Sequence, residues 1–218
     1  MTIYEYGDRE AADVLIQMVD DHDLPLLDAE VEEIRKSSCV PFHLVAVHVD
    51  DWNSDLSPWS APPVFGSAAF GGKASSTLDY VLGLCSDRTK SYYIGGYSLA
   101  GLFALWSATK SGVFKGAVAV SPSVWFPGFT DYMKKNAVKA GAVYLSLGER
   151  ESETRNRTMA SVADAIIECR DTIVEEGIRC FFEWNEGGHF NSPEKRTAKA
   201  FAWILKQGRL SSCPESNL

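Results

Sequence analysis

The sequence is poor in the features that would place it in a specialised class. Cysteine is scarce and odd in number, five residues (Cys39, Cys85, Cys169, Cys180 and Cys213) with no C-x-x-C pair. That scatter signals neither a disulfide framework nor a zinc cluster, so the thiols are read as buried and free, and no metal or cofactor is expected. Positive charge is in deficit: 21 Lys and Arg against 29 Asp and Glu leave a net charge of -8. A phosphate-backbone binder needs a basic face, so nucleic acid is not an expected partner. No uncharged apolar run approaches the length of a membrane span, roughly 18 residues. The N-terminus, Met1 to Asp8, has no basic segment leading into an apolar one. The chain is therefore read as cytoplasmic, with no membrane partner. Internal repeats and low-complexity tracts are also missing, and histidine occurs only four times.

What remains is ordinary globular composition, 45% hydrophobic and 23% charged. A chain of 218 residues is read as one domain, able to bury roughly 70% of its unfolded surface in a single core. Short β-branched apolar runs alternate with longer helical patterns, which predicts an α/β fold with a mostly parallel central sheet and helices on both faces. Strands are expected over Thr2–Tyr6 (an edge), Asp13–Val19, Phe42–Val49, Ser91–Gly95, Gly116–Val120, Ala142–Leu147 and Arg179–Trp184. Helices are expected from Leu27 past Ile34, over Ser75–Leu84, after Ser98, and over Asp131–Ala137, Thr154–Glu175 and Pro193–Lys206. Asp50–Lys73, rich in Pro, Gly, Ser and Trp, is the longest irregular stretch, and 208–218 reads as a frayed tail.

The most specific signal is Gly95-Gly96-Tyr97-Ser98-Leu99-Ala100-Gly101 between a predicted strand and a predicted helix. This is the context a nucleophile elbow requires. A turn that sharp strains the serine backbone and brings the residues two before and two after it together, so only small side chains fit. Gly96 and Ala100 meet that demand, although Ala100 departs from the usual second glycine. A serine hydroxyl is a weak nucleophile and needs a base. In the α/β-hydrolase order of nucleophile, acid and histidine, only His189, in Glu186-Gly187-Gly188-His189-Phe190 after the last strand, stands in the right place.

The acid should lie after an intervening strand, and Leu147-Gly148-Glu149-Arg150-Glu151 is that place. Glu151 is preferred over Glu149 and Glu153, because in this fold the acid commonly follows the strand-ending glycine by three positions. The alternative is that the three glutamates form a solvated acidic run favoured by a helix N-terminus. An oxyanion needs two N–H donors. Leu99, opening the helix after the serine, would supply one; Asp21, in the loop Asp20-Asp21-His22-Asp23, is nominated for the other.

Together, Gly-Tyr-Ser-Leu-Ala-Gly, Ser121-Pro122-Ser123-Val124-Trp125, Leu147-Gly148-x-x-Glu151 and Gly187-Gly188-His189 resemble the serine esterase group of the α/β-hydrolase superfamily, which includes esterase D-like and enterochelin esterase-like enzymes. The resemblance runs from Val14 to about Leu205. It implies that Ser121, Ser123 and Trp125 line the substrate pocket, with Trp52 and Trp59 as further candidates, the alternative for the three loop tryptophans being ordinary scaffold packing. The short chain leaves no insertion long enough for a large cap, so an open site for small soluble esters or thioesters is expected. The implied function is a carboxylesterase-like serine hydrolase working through a Ser98 acyl-enzyme. The alternatives are an acyltransferase or peptidase using the same residues, or a non-catalytic ligand- or partner-binding protein on the same fold. An open sheet edge at the N-terminal strand offers a route to a homodimer.

Overall fold

A computed structural model of the chain describes residues 1–210. Nine strands and eight helices follow in the order β1 (Thr2–Gly7), β2 (Asp13–Val19), α1 (Leu27–Ser38), β3 (His43–His48), α2 (Trp52–Asp55), β4 (Ser60–Ala61), β5 (Phe70–Gly71), α3 (Ala74–Leu84), β6 (Ser91–Tyr97), α4 (Leu99–Lys110), β7 (Phe114–Val120), α5 (Phe129–Met133), β8 (Ala142–Gly148), α6 (Arg157–Ala160), α7 (Val162–Glu175), β9 (Arg179–Asn185) and α8 (Pro193–Leu210). Seven strands form one sheet in the order β1-β3-β2-β6-β7-β8-β9. Only β1 runs antiparallel, pairing with β3; every other neighbour pair is parallel.

The burial pattern follows from that topology. β2 and β8 are buried almost end to end, because helices cover both sheet faces and a strand so placed has no polar side. The edge strands β1 and β9 have no fully buried residue, exposed positions being interspersed with half-buried ones. One face packs Val14, Ile16, Ile94, Ala117 and Val143 against α3, α4 and α7. The other packs Leu15, Leu44, Val118 and Tyr144 against α1 and α8. Successive residues of each strand thus feed opposite cores. α4, at the centre, is buried from Leu99 to Thr109, and each large apolar side chain fully buried there contributes about 1.5–3 kcal/mol relative to exposure.

Several expectations are corrected in detail. Asp50–Lys73 is not wholly irregular, since it carries α2 and a two-stranded ribbon, with Ser60 opposite Gly71 and Ala61 opposite Phe70. The buried Ser57 hydroxyl ties it together, donating to Asn53 O at 2.6 Å and accepting from Gly72 N–H at 2.9 Å. The helix expected over Asp131–Ala137 is the single turn α5, entered through Gly128 at φ 79° so that Phe129 is buried. The one expected over Thr154–Glu175 splits into α6 and α7. Asn156 caps the first turn by accepting from Thr158 and Met159 N–H, and the Ser161 hydroxyl bonds back to Thr158 O at 2.7 Å. α8 runs beyond Lys206 to Leu210, so 208–210 is helical; a Cβ on Gly208 would lie 2.2 Å from the Tyr93 hydroxyl, and glycine lets the helix pass. The rest of the expected tail, 211–218 with Cys213, lies outside the described residues. Cys85 and Cys169 are buried and free, and Cys180 is half-buried, but Cys39 is exposed at the left-handed C-cap of α1. No helix among the described residues is long and apolar enough to cross a membrane.

One buried acid strains this fold. Glu30 on α1 is 3% exposed and accepts from the Gln17 amide at 3.4 Å, while its Oε1 and Gln17 Oε1 have no partner among the described residues. Burial pushes the Glu30 carboxyl well up, the Gln17 bond pulls it down, and Asp23 and Glu194 add to the rise. A carboxyl raised in the fold costs nothing below its ordinary value, and costs progressively more as the pH rises above it. Glu30→Gln, whose amide can also donate to Gln17 Oε1, is therefore expected to raise the melting temperature at pH 7–8 by roughly 2–4 °C. The gain should vanish near pH 4 in thermal scans; an equal gain at both pH values would contradict this account.

Candidate active site

The sheet's carboxyl ends hold the candidate residues. Ser98 stands between β6 and α4 with φ 57° and ψ -120°, in the left-handed half of backbone space where a non-glycine residue is strained. Surrounding bonds hold it there: its N–H donates to Val120 O at 3.0 Å, and its carbonyl accepts from Ser123 N–H at 3.0 Å and Leu102 N–H at 3.1 Å. The small-residue demand is literal. A Cβ on Gly96 would fall 2.5 Å from the Ala100 methyl, and one on Gly95 2.7 Å from the Phe201 ring. Ala100 is accommodated because Gly96 leaves its side empty. Gly96→Val is expected to destabilise by about 3 kcal/mol or to block folding, read as a lower urea midpoint.

A continuous line of hydrogen bonds starts at this serine. His189 Nε2 lies 3.1 Å from Ser98 Oγ, and His189 Nδ1 lies 2.7 Å from Glu151 Oε2. An ionised carboxylate only accepts, so Nδ1 carries the proton and Nε2 is free to take one from Ser98. The ring sits on the loop after β9, where Gly187 at φ 87° makes the turn. The Tyr97 hydroxyl anchors that loop by donating to His189 O at 2.5 Å.

Glu151 is 4% exposed on its side chain and folds back over the end of β8. Its Oε1 accepts from the Ser121 hydroxyl at 2.6 Å and from Gly148 N–H at 2.7 Å. Burial pushes this carboxyl up, but the bonds from His189, Ser121 and Gly148 outweigh burial and hold it below its ordinary value. Gly148 has to be glycine here, since a Cβ would lie 2.6 Å from Gly187 O and 2.8 Å from Glu151 Oε1. Of the other two glutamates, Glu153 is exposed and pairs with Arg150 at 3.0 Å, and Glu149 is exposed beside them.

Leu99 opens α4, so its N–H is one of the helix's unpaired first-turn donors. Asp21 lies in a turn whose other acids bond to each other's backbone. Asp20 Oδ1 accepts from His22 and Asp23 N–H, and Asp23 Oδ2 accepts from Asp20 N–H. Burial pushes the Asp23 carboxyl up to about 6, and it remains mostly ionised at neutral pH. The Asp21 side chain turns to solvent and meets His48 Nε2 at 3.0 Å.

The expected pocket residues divide. Ser123 is 3% exposed with its Oγ 3.3 Å from Ser98 Oγ. Trp125, two residues on, is half-buried with Phe65 edge-on at 5.9 Å and Phe70 at 6.3 Å. Trp52 opens α2, half-buried against the same apolar cluster. Ser121 is corrected: at 1% exposure and φ 45° it is turned inward to Glu151, not onto a pocket wall. The Trp59 indole N–H donates to Pro127 O at 3.0 Å and its ring packs on Phe126 and Tyr132, as scaffold. Phe190, beside His189, is 92% exposed. A cavity of about 980 Å³ lies at the opposite, amino ends of β6 to β9, lined by Tyr93, Phe114, Ala142 and Arg179. Among the described residues no group of three or more His, Cys, Asp or Glu is arranged to hold a metal ion.

No family model matches the chain, and no curated protein matches it in sequence. Solved structures do resemble it. The siderophore hydrolase EstB from Aspergillus nidulans superposes with a TM-score of 0.70 at 18% identity, over 94% of this chain and 89% of that one. Its counterpart EstA from the same organism gives 0.64 at 19%, over 95% and 86%. The enterobactin esterase FES from Shigella flexneri gives 0.64 at 13%, over 95% of this chain but 55% of its own length. With its order of strands, its single antiparallel edge strand and its sharp turn at Ser98, the chain has the α/β-hydrolase fold.

Proposed function

We propose that the chain is a serine hydrolase of small, soluble carboxylic esters or thioesters. The observation that carries the reading is the unbroken hydrogen-bonded line from Ser98 Oγ through His189 to Glu151, on a serine held in a strained turn. Ser98 Oγ attacks the acyl carbon as His189 Nε2 takes its proton. The carbonyl oxygen, now anionic, is met by the N–H groups of Leu99 and Asp21. On collapse the alcohol or thiol leaves with the proton from Nε2, and the acyl group stays on Ser98. Water then repeats the sequence, giving up a proton to His189 and releasing the acid. Glu151 keeps the proton on Nδ1 and stabilises the imidazolium without itself accepting it. Its several donors favour a carboxylate that stays ionised throughout.

Ser123 lies within reach of an acyl group on Ser98, and Trp125 and Trp52 are assigned to the pocket wall. Small soluble substrates are favoured because, among the described residues, none of the connections between elements is long enough to form a separate cap. That proteins of the same fold include siderophore hydrolases and an enterobactin esterase supports ester cleavage. The test is incubation with a fluorophosphonate, followed by intact mass and peptide mapping, beside p-nitrophenyl esters of increasing chain length. A single adduct on Ser98 with turnover of the short esters is expected; a folded protein that takes no label would refute the reading.

A further inference from the structure

Arg196, on the first turns of α8, is 6% exposed, and its guanidinium lies behind Glu151. It reaches the carboxyl ends of four neighbouring strands, β6 to β9. Nη1 donates to the Tyr97 hydroxyl at 3.2 Å at the end of β6, to Ser121 Oγ at 3.4 Å after β7 and to Glu151 Oε1 at 3.5 Å after β8. Nη2 donates to Glu186 O at 2.6 Å on the loop after β9, three residues before His189. Burying an arginine beside a carboxylate is costly and rarely helps stability as such. Four separate segments nonetheless converge on this one fork, and each carries or adjoins a member of the hydrogen-bonded line.

Resting on the serine-hydrolase reading above, we infer that Arg196 is a positioning residue for the reaction: its cation fixes the Glu151 carboxylate and offsets part of the negative charge that His189 feels. The charged and titratable groups around the His189 ring are Glu151 after β8, Tyr97 on β6 and Arg196 on α8. On its own loop Glu186 contributes a backbone carbonyl. Burial pushes the Tyr97 phenol up, so it stays neutral. The balance at the imidazole is therefore set by one anion in direct contact and one cation behind it. Without the cation the carboxylate holds the imidazolium more strongly, and the base becomes available only at higher pH.

Two variants separate charge from shape. Arg196→Gln loses the charge and, ending about two bonds short of the Nη atoms, the fork as well; Arg196→Lys loses the fork but keeps the charge, so the difference between the two isolates the charge. In Arg196→Gln the acid limb of the kcat/KM profile on a p-nitrophenyl ester is expected to move up by about one pH unit. Its kcat should fall about tenfold or more with KM little changed. Arg196→Lys is expected to return the limb to its wild-type position with kcat only partly restored. An unmoved limb in a folded Arg196→Gln, or equal shifts in both variants, overturns the inference. Should Arg196→Gln fail to fold, Arg196→Lys decides: a wild-type limb with lowered kcat supports the role, and a displaced limb or a wild-type kcat refutes it. Fluorophosphonate labelling of the wild type separates the two levels, because an unlabelled wild type refutes the hydrolase reading, whereas labelled Ser98 with an unmoved limb refutes only the part given to Arg196.

Discussion

Ser98→Ala is expected to lower kcat on short p-nitrophenyl esters by on the order of 10⁵-fold and to abolish fluorophosphonate labelling. The fold should survive, because alanine keeps the Cβ that the turn already holds at φ 57° and removes one oxygen whose neighbours are His189 Nε2 and Ser123 Oγ. The melting temperature is therefore the control. A variant that melts with the wild type and still turns over more than a few per cent of wild-type flux would mean that Ser98 is a strained structural turn and not a nucleophile.

Glu151→Gln should come second, with kcat down about 10³- to 10⁴-fold and KM little changed. The argument lies in which way the amide must face. The Oε1 position takes donors from Gly148 N–H at 2.7 Å and the Ser121 hydroxyl at 2.6 Å, so the amide oxygen has to sit there. Its NH₂ group is then aimed at His189 Nδ1, where a donor meets a donor. The imidazole relieves this by moving its proton to Nε2, and that tautomer cannot accept from Ser98. Glu153→Gln, on an exposed side chain paired with Arg150, should leave kcat within twofold. Loss of activity in Glu153→Gln, or its retention in Glu151→Gln, would reassign the acid.

Much of this was legible in the sequence, for identifiable reasons. β2 and β8 are read from largely apolar runs, interrupted only by Gln17 and Ser146 within the strands, because both of their faces are covered. Ser98, Glu151 and His189 are readable because each depends on a nearby glycine whose absent side chain makes the geometry possible, at Gly96, Gly148 and Gly187. Local sterics leave a local mark. The rest depends on partners distant in sequence. Ser121 reads as a pocket residue from its motif, but a left-handed φ and a glutamate 30 positions away decide where its hydroxyl goes. The reciprocal bonds by which Asp20 and Asp23 cap each other's backbone N–H groups likewise appear only in the folded turn. Arg196 did leave a trace: with Ala200 and Ile204 it falls at four-residue spacing on the buried stripe of α8, a place where a charge demands a partner. Only the tertiary structure names that partner.

The separation of these groups along the chain also governs when the site comes into being. Ser98 and His189 are 91 residues apart, and Arg196 follows on the last helix described. During synthesis at about 5–20 residues per second, the serine leaves the ribosome roughly 5–20 s before its base. Until β9 has added to β8 and α8 has docked, the nascent chain carries a turn with no proton acceptor. An enzyme assembled in this order would stay chemically silent while these segments emerge, and would acquire reactivity in one step as β9 and α8 close against the sheet.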